Sequence, residues 1–235
     1  MSQLQRIAIA PSQFQQGQIV LTKEQLHYLV RVLRLREGDR FIAMDGVGKW
    51  WLAQLAGEQA EVLEALLVET ELPVSITLIM ALPKGNGFDE VVRACTELGV
   101  ACIAPVLSDR TLLHPSPQKL ERWRRIAAEA AEQSERSFVP TILEPVAFNT
   151  AVTTNLATHR YICEARGEYP YLSKVLTDIS GEIIIATGPE GGWTTKELEN
   201  AIASGFQPVS LGRRILRAVT APIVALSLIM AASEV

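Results

Sequence analysis

Cysteine, histidine and excess basic charge are all scarce in this chain, and each shortage removes a class of protein. Three cysteines, Cys95, Cys102 and Cys163, are too few and too irregularly spaced for a disulfide framework or a zinc site. They read as reduced thiols of a cytosolic protein. His27, His114 and His159 fall in separate predicted elements without metal-ligand spacing, so no metal is expected. Lys and Arg number 22 against 26 Asp and Glu, a net charge of −4. Any binding of nucleic acid must therefore use local patches rather than bulk charge. No apolar run reaches the roughly 18 residues of a membrane span. The longest, Ala218 to Ala232, is broken by Thr220, Pro222 and Ser227. Met1 to Ala10 has no continuous apolar core of an export signal. A soluble, cytoplasmic chain is expected. What remains is ordinary globular composition, 48% hydrophobic over 235 residues, enough for one large domain or two modest ones.

Two kinds of periodicity divide the chain. Up to about Leu72 the pattern is strand-like: "GDRFIAMDGVGKWWLAQL" has apolar runs separated by glycine-rich turns, as in hairpins. One helix is predicted there, over Thr22–Arg36, with Thr22 as N-cap and Leu26, Leu29, Val30 and Leu33 at helical spacing. A small β-barrel carrying one helix, residues 1–72, fits this region. From residue 73 strands alternate with helices. "SITLIMAL", "ACIAPVLS", "HRYICEA", "GEIIIATG" and "QPVSLG" read as strands. "GFDEVVRACTELGV", "SPQKLERWRRIAAEAAEQSER" and "WTTKELENAIASG" read as helices, before a final apolar helix. Ser116 and Pro117 mark one helix start, a Thr194-x-x-Glu197 capping box marks another, and Gly99 and Gly205 mark stops. The alternation predicts an α/β domain over 73–235, with a mostly parallel sheet covered on both faces.

Two motifs carry chemistry. "IIIATGPEGGWTTKE" runs from a buried strand through a Gly-Pro-Glu-Gly-Gly turn into a helix. In a parallel sheet such a loop lies beyond the carboxyl ends of the strands, where ligands bind. Glycine there lets a ligand approach the backbone closely. On spacing alone, a binding loop and a plain tight turn are equally good readings. The second motif, "SLGRRILRAVTAP", sets Arg213, Arg214 and Arg217 around the apolar Ile215 and Leu216. A solvated arginine loop is the ordinary reading, but packing of the apolar pair would orient the arginines toward an anion. Arg31, Arg34, Arg36 and Arg40 form a third cluster, with Arg31 and Arg34 three apart on the predicted helix. Lys84 and Arg110 follow strands, and Arg136 follows a helix. Neither the P-loop nor the dinucleotide-binding fingerprint is present, and no serine elbow or Cys/His pair marks a nucleophile.

These residues resemble a known family. "GPEGG" at 188–192 and "LGRRILR.VTA" at 211–221 are similar to the paired signatures of the SPOUT methyltransferases. "RVLRLREGD" (31–39), "ELGVACIAPVLSDRT" (97–111) and "AAEAAEQSER" (127–136) extend the resemblance over the whole chain, toward the members that make 3-methyluridine in 16S ribosomal RNA. The resemblance implies a PUA-like RNA-binding barrel followed by an α/β domain with a C-terminal trefoil knot, in a homodimer. It implies S-adenosylmethionine bound by Glu164, by Thr187, Gly188, Glu190, Gly191 and Gly192, and by Leu211, Gly212, Ile215, Leu216, Thr220 and Ala221. Uridine N3 attacks only once deprotonated, so the site must favour an anion. Arg217, with Arg110, is expected to stabilise it, and Glu190 to act as base or base-positioner. Arg31, Arg34, Arg36, Lys84, Arg136 and Arg214 are expected to contact RNA. The chain departs from the family in Val219, where an acid is usual, and in Arg93, where lysine is common. A SPOUT enzyme acting on tRNA or a ribose 2′-hydroxyl, and a non-catalytic RNA-binding assembly factor, are the alternatives.

Overall fold

The computed structural model describes residues 4–111, 115–154 and 157–234; His114 lies outside them. The chain forms two compact units. One holds the residues up to Glu71 together with Ala131–Val139, and the other holds Leu72–Ala130 and the residues from Pro140 onward.

The first unit is a curled six-stranded sheet. Its strands are β1 (Arg6–Ala8), β2 (Phe14–Gln15), β3 (Gln18–Val20), β4 (Arg40–Met44), β5 (Trp50–Ala56) and β6 (Gln59–Leu66), in the order β1-β4-β5-β6-β3-β2. Neighbours are antiparallel except β1 and β4. The β4–β5 hairpin closes where Asp45 Oδ1 accepts the amides of Val47 and Lys49, both at 2.9 Å. Alternation along the strands buries Ile19, Phe41, Ala43, Trp51, Ala53 and Leu55 in one core, with Leu29 against it.

The expected helix over 22–36 is shorter and changes character. α1 covers Lys23–His27, with Thr22 as N-cap in a reciprocal box with Gln25. A π-helical turn follows over Tyr28–Val32. Arg34 then takes a left-handed conformation at φ +61°, which ends the helix. Arg31 and Arg34 are therefore not neighbours on one helix face, although the spacing of the apolar residues predicts that they would be.

The second unit is α/β. Its elements are β7 (Val74–Ala81), α2 (Gly87–Glu97), β8 (Cys102–Leu107), α3 (Pro117–Gln133), β9 (Thr141–Ile142), β10 (Val146–Ala147), α4 (Phe148–Thr154), β11 (His159–Cys163), α5 (Leu172–Val175), β12 (Gly181–Thr187), α6 (Thr195–Ala203), β13 (Gln207–Val209) and α7 (Thr220–Ser233). The last residues of α3, from Ala131, count with the first unit. The sheet runs β10-β8-β7-β12-β11-β13, with β9 beside β8, and every pairing is parallel. β7 and β12 are central neighbours, and their next strands lie on opposite sides: β7 leads through α2 to β8, and β12 through α6 to β13. Such a switch point opens a crevice at the carboxyl ends of the two strands. Buried on both faces, β7 and β12 are continuous apolar runs, and Ile76, Leu78, Ile79, Ile183 and Ile185 are fully buried. Among the described residues no helix is long and apolar enough to cross a membrane.

Candidate functional site

Four loops at the carboxyl side of the parallel sheet build one cleft. They extend from β8, β11, β12 and β13, and the lining runs from Arg110 through Cys163–Arg166 and Gly188–Trp193 to Leu211–Ala221. The cleft encloses about 830 Å³ counting its open mouth, the scale of a small-molecule site.

The loop after β12 is shaped by a missing side chain. A Cβ on Gly188 would sit 3.2 Å from the Trp193 indole, so the glycine lets the indole fold back over the turn. Trp193 is buried, stacks on Phe148 at 4.2 Å, and donates from Nε1 to the Cys163 carbonyl at 3.2 Å. The loop is thereby tied to the end of β11. Thr194 then caps α6 reciprocally with Glu197. Buried Glu197 also accepts the Asp109 amide at 2.8 Å, which draws in the loop after β8. From that loop Arg110 donates to the carbonyls of Gly191 and Trp193. Glu190 is half of a further tie: its Oε1 accepts the Lys84 amide at 2.9 Å, across the β7–β12 switch point.

The third wall is the stretch 211–221. Ser210 Oγ and the Gly212 backbone exchange hydrogen bonds at 3.1 and 3.2 Å, with Gly212 at φ +132°. Leu211, Ile215, Leu216, Ala218 and Ala221 make this wall apolar, and Ile215 is 72% exposed at its rim. Glu164 enters from the loop after β11, where its Oε1 accepts the Arg166 amide at 2.8 Å. A Cβ on Gly192 or on Gly212 would meet no protein atom within 4 Å, so both leave open backbone along the cleft. Burial, with Glu164 beside it, pushes the Cys163 thiol up to about 12, so this lining residue is no nucleophile at neutral pH.

Most of the expected cofactor residues meet here: Glu164, Gly188, Glu190, Gly191, Gly192, Leu211, Gly212, Ile215, Leu216 and Ala221 all line the cleft. Thr187 and Thr220 do not. Thr187 is the last residue of β12 and is fully buried, with a hydroxyl that bonds to no described residue. Thr220 is the first residue of α7, its amide bonded to the Arg217 carbonyl at 2.9 Å. Arg217 itself is exposed and lies outside the lining. Val219 packs against the start of α2, its Cγ1 2.7 Å from where a Cβ on Gly87 would stand. Sequence reasoning passes over Cys163, Ala165, Arg166, Pro189, Trp193 and Ala218, which also line the cleft. Each adjoins a residue of the two motifs or of the Glu164 loop, and that adjacency is the available signal.

In the first unit Arg31, Arg34, Arg36 and Arg40 are all exposed. Lys84 and Arg214, in the second, are exposed as well. Arg136 is not, and its expected contact with RNA is corrected. Its side chain is 5% exposed and pairs with Glu71 at 2.6 Å, while the other Glu71 oxygen accepts the amides of Ser137 and Phe138. Among the described residues no group of His, Cys, Asp or Glu could hold a metal ion.

Comparison with known proteins agrees with this architecture. A family described as "RNA methyltransferase domain" matches residues 70–230, and "RNA methyltransferase PUA domain" matches residues 21–65. The chain is 50% identical to ribosomal RNA small subunit methyltransferase E of Synechocystis, over 97% of this chain and 78% of that protein. It is 30% identical to the protein of the same name from Bacillus subtilis, over 91% and 90%. Among solved structures, ribosomal RNA small subunit methyltransferase E from Neisseria gonorrhoeae, bound to S-adenosyl methionine, superposes with a TM-score of 0.86 at 32% identity, covering 97% of this chain and 98% of that one. A methyltransferase from Legionella pneumophila, in complex with the same cofactor, gives 0.85 at 29% identity, with 98% of each chain covered.

Proposed function

The chain belongs to the ribosomal RNA small subunit methyltransferase E family, and from that premise we propose that its cleft holds S-adenosylmethionine and directs methylation to N3 of a uridine in 16S ribosomal RNA. One observation carries the reading: three glycine-containing loops at the carboxyl ends of parallel strands converge on a single cleft with one apolar and one carboxylate-bearing wall. Those residues fit the cofactor. Leu211, Ile215, Leu216, Ala218 and Ala221 offer apolar surface to an adenine, Glu164 offers a carboxylate to ribose hydroxyls, and Gly192 and Gly212 leave backbone open to a ligand.

The bound cofactor supplies a methyl group already activated on a sulfonium sulfur. The protein's share is alignment, exclusion of water and charge stabilisation. Arg110 and Glu190 hold the loops: the first through the Gly191 and Trp193 carbonyls, the second through the Lys84 amide. Arg217 is the cation assigned to negative charge on uridine O2 or O4. With one carboxylate oxygen committed to Lys84, Glu190 takes the N3 proton, if it acts as base, on the other. Arg31, Arg34 and Arg36, with Lys84 and Arg214, contact RNA phosphates as local patches on an acidic protein. The remaining parts of the reading are an N-terminal RNA-binding domain over 1–72 and a methyltransferase domain over 73–235. With them go a trefoil knot closed by α7, a homodimer built on that helix, an assembled small ribosomal subunit as substrate, and a cytoplasmic location.

The test is transfer of a labelled methyl group from S-adenosylmethionine to 30S subunits lacking the modification, with the product nucleoside identified by mass spectrometry. 3-Methyluridine is the expected product. A ribose-methylated nucleoside, or transfer to tRNA alone, would redirect the reading to a different RNA target. Cofactor binding without any transfer would leave an RNA-binding assembly role.

A further inference from the structure

The cleft carries charged groups beyond those needed to hold its own loops. Five charged side chains line it: Arg110, Glu164, Arg166, Glu190 and Arg214. Arg110 is engaged by the Gly191 and Trp193 carbonyls, and Glu190 by the Lys84 amide. Glu164 accepts the amide of Arg166, two residues on, and this bond folds the loop after β11 so that both residues border the cleft. The guanidinium groups of Arg166 and Arg214 form no hydrogen bond or ion pair with any described residue. A cation lining a cleft without a protein partner is available to an anion, and the planar guanidinium matches a carboxylate.

The two free arginines stand in different surroundings. Arg214 belongs to the apolar stretch 211–221, between Gly212 and Ile215. Arg166 belongs to the polar loop with Glu164. The cofactor proposed for this cleft is itself divided: an adenine at one end, a ribose in the middle, and an α-amino acid at the other. With the adenine on the apolar wall and the ribose at Glu164, the amino-acid end falls to the loop that carries Arg166. We propose that Arg166 binds the α-carboxylate of S-adenosylmethionine. The inference rests on the reading of the cleft as the cofactor site and adds the residue that recognises the cofactor's amino-acid end.

5′-Methylthioadenosine separates this role from every other. It keeps the adenine, the ribose and the sulfur but lacks both the carboxylate and the ammonium. Calorimetric titration of the full-length wild type, Arg166→Gln and Arg166→Lys would measure its affinity beside those of S-adenosylmethionine and S-adenosylhomocysteine. Losing a charged hydrogen-bonding partner should weaken binding of the two amino-acid-bearing ligands about tenfold or more in the glutamine variant. The lysine variant should fall in between, since it keeps the charge and loses the fork. Affinity for 5′-methylthioadenosine should stay within about twofold of wild type, because uniform binding is untouched. Arg166 is exposed, so the melting temperature should not move. Equal losses for all three ligands would mean that Arg166 only shapes the loop, and would overturn the proposal. So would unchanged cofactor affinity with weakened binding of 30S subunits, which would make Arg166 an RNA contact. A wild type that binds none of the three ligands would fail at the cofactor reading itself, and the inference would fall with it.

Discussion

At the scale of single residues the site depends on what Gly188 omits and what Cys163 cannot do. Adding a methyl at Gly188 would press on the Trp193 indole at 3.2 Å. The indole is held by Phe148 on one side and the Cys163 carbonyl on the other, so it cannot yield freely. Gly188→Ala should therefore cost about 1–3 kcal/mol of stability by overpacking and weaken cofactor binding, as a denaturation curve and a titration would show. The Cys163 and Cys95 thiols are both pushed up to about 12 by burial, and Glu164 adds to the rise at Cys163. A thiol raised in the folded state is neutral in both states below the ordinary value of about 9, so folding gains or loses nothing there. Above pH 9 the unfolded chain ionises first, and stability falls as the pH climbs toward 12. Iodoacetamide at pH 8 should leave both cysteines unmodified in the native protein and alkylate them in denaturant; mass spectrometry reads the result. Arg217→Ala should lower turnover by about 100-fold or more while leaving cofactor affinity unchanged, as expected for charge stabilisation in the transition state. Near-normal turnover would remove Arg217 from the chemistry.

At the scale of elements, the interrupted helix at 23–32 decides how the basic cluster is displayed. A regular helix would place Arg31 and Arg34 on one face. The π-helical turn and the left-handed Arg34 spread them instead along an exposed segment with Arg36. The reason was not legible in the apolar spacing, which satisfies α and π geometry equally over one turn. Each arginine that contacts a phosphate should lower the slope of log affinity against log salt by about 0.7–0.9 when replaced by alanine. Binding of 16S rRNA measured across a salt series would show it, and an unchanged slope would exclude these residues from the RNA surface. The caps of α1 and α6, in contrast, come directly from Thr22-x-x-Gln25 and Thr194-x-x-Glu197.

At the scale of the whole molecule, two features reach beyond any local pattern. Residues Ala131–Val139 belong to the first unit although they come after most of α3 in the chain, and Glu71 holds them through Arg136, Ser137 and Phe138. Breaking the buried pair from one side leaves a stranded charge, so Glu71→Ala should destabilise the protein by about 3–5 kcal/mol. A urea titration measures this, and a loss under about 1 kcal/mol would place the pair among ordinary surface bridges. α7 is apolar around its whole circumference. Ala225, Leu226 and Ile229 are buried, but Ile223, Val224, Leu228 and Met230 are only half-buried. If this helix forms the homodimer, sedimentation should give twice the 25.8 kDa chain mass, and Leu228→Glu should return it to one.

The sequence by itself determined the alternation of strand and helix, the caps and the glycine turns, because each depends on residues a few positions apart. It also determined the cleft-lining loops at 188–192 and 211–216, since a buried parallel strand that ends in glycine delivers the next residues to the carboxyl edge of the sheet. Tertiary structure alone decided the rest. It brought Arg110 to the Gly191 carbonyl and Lys84 to Glu190, took Arg136 from the surface into a buried ion pair, and put Arg166 in the cleft. Those choices join residues tens of positions apart. They depend on strand order and on which buried polar group finds a partner, neither of which is written in local spacing.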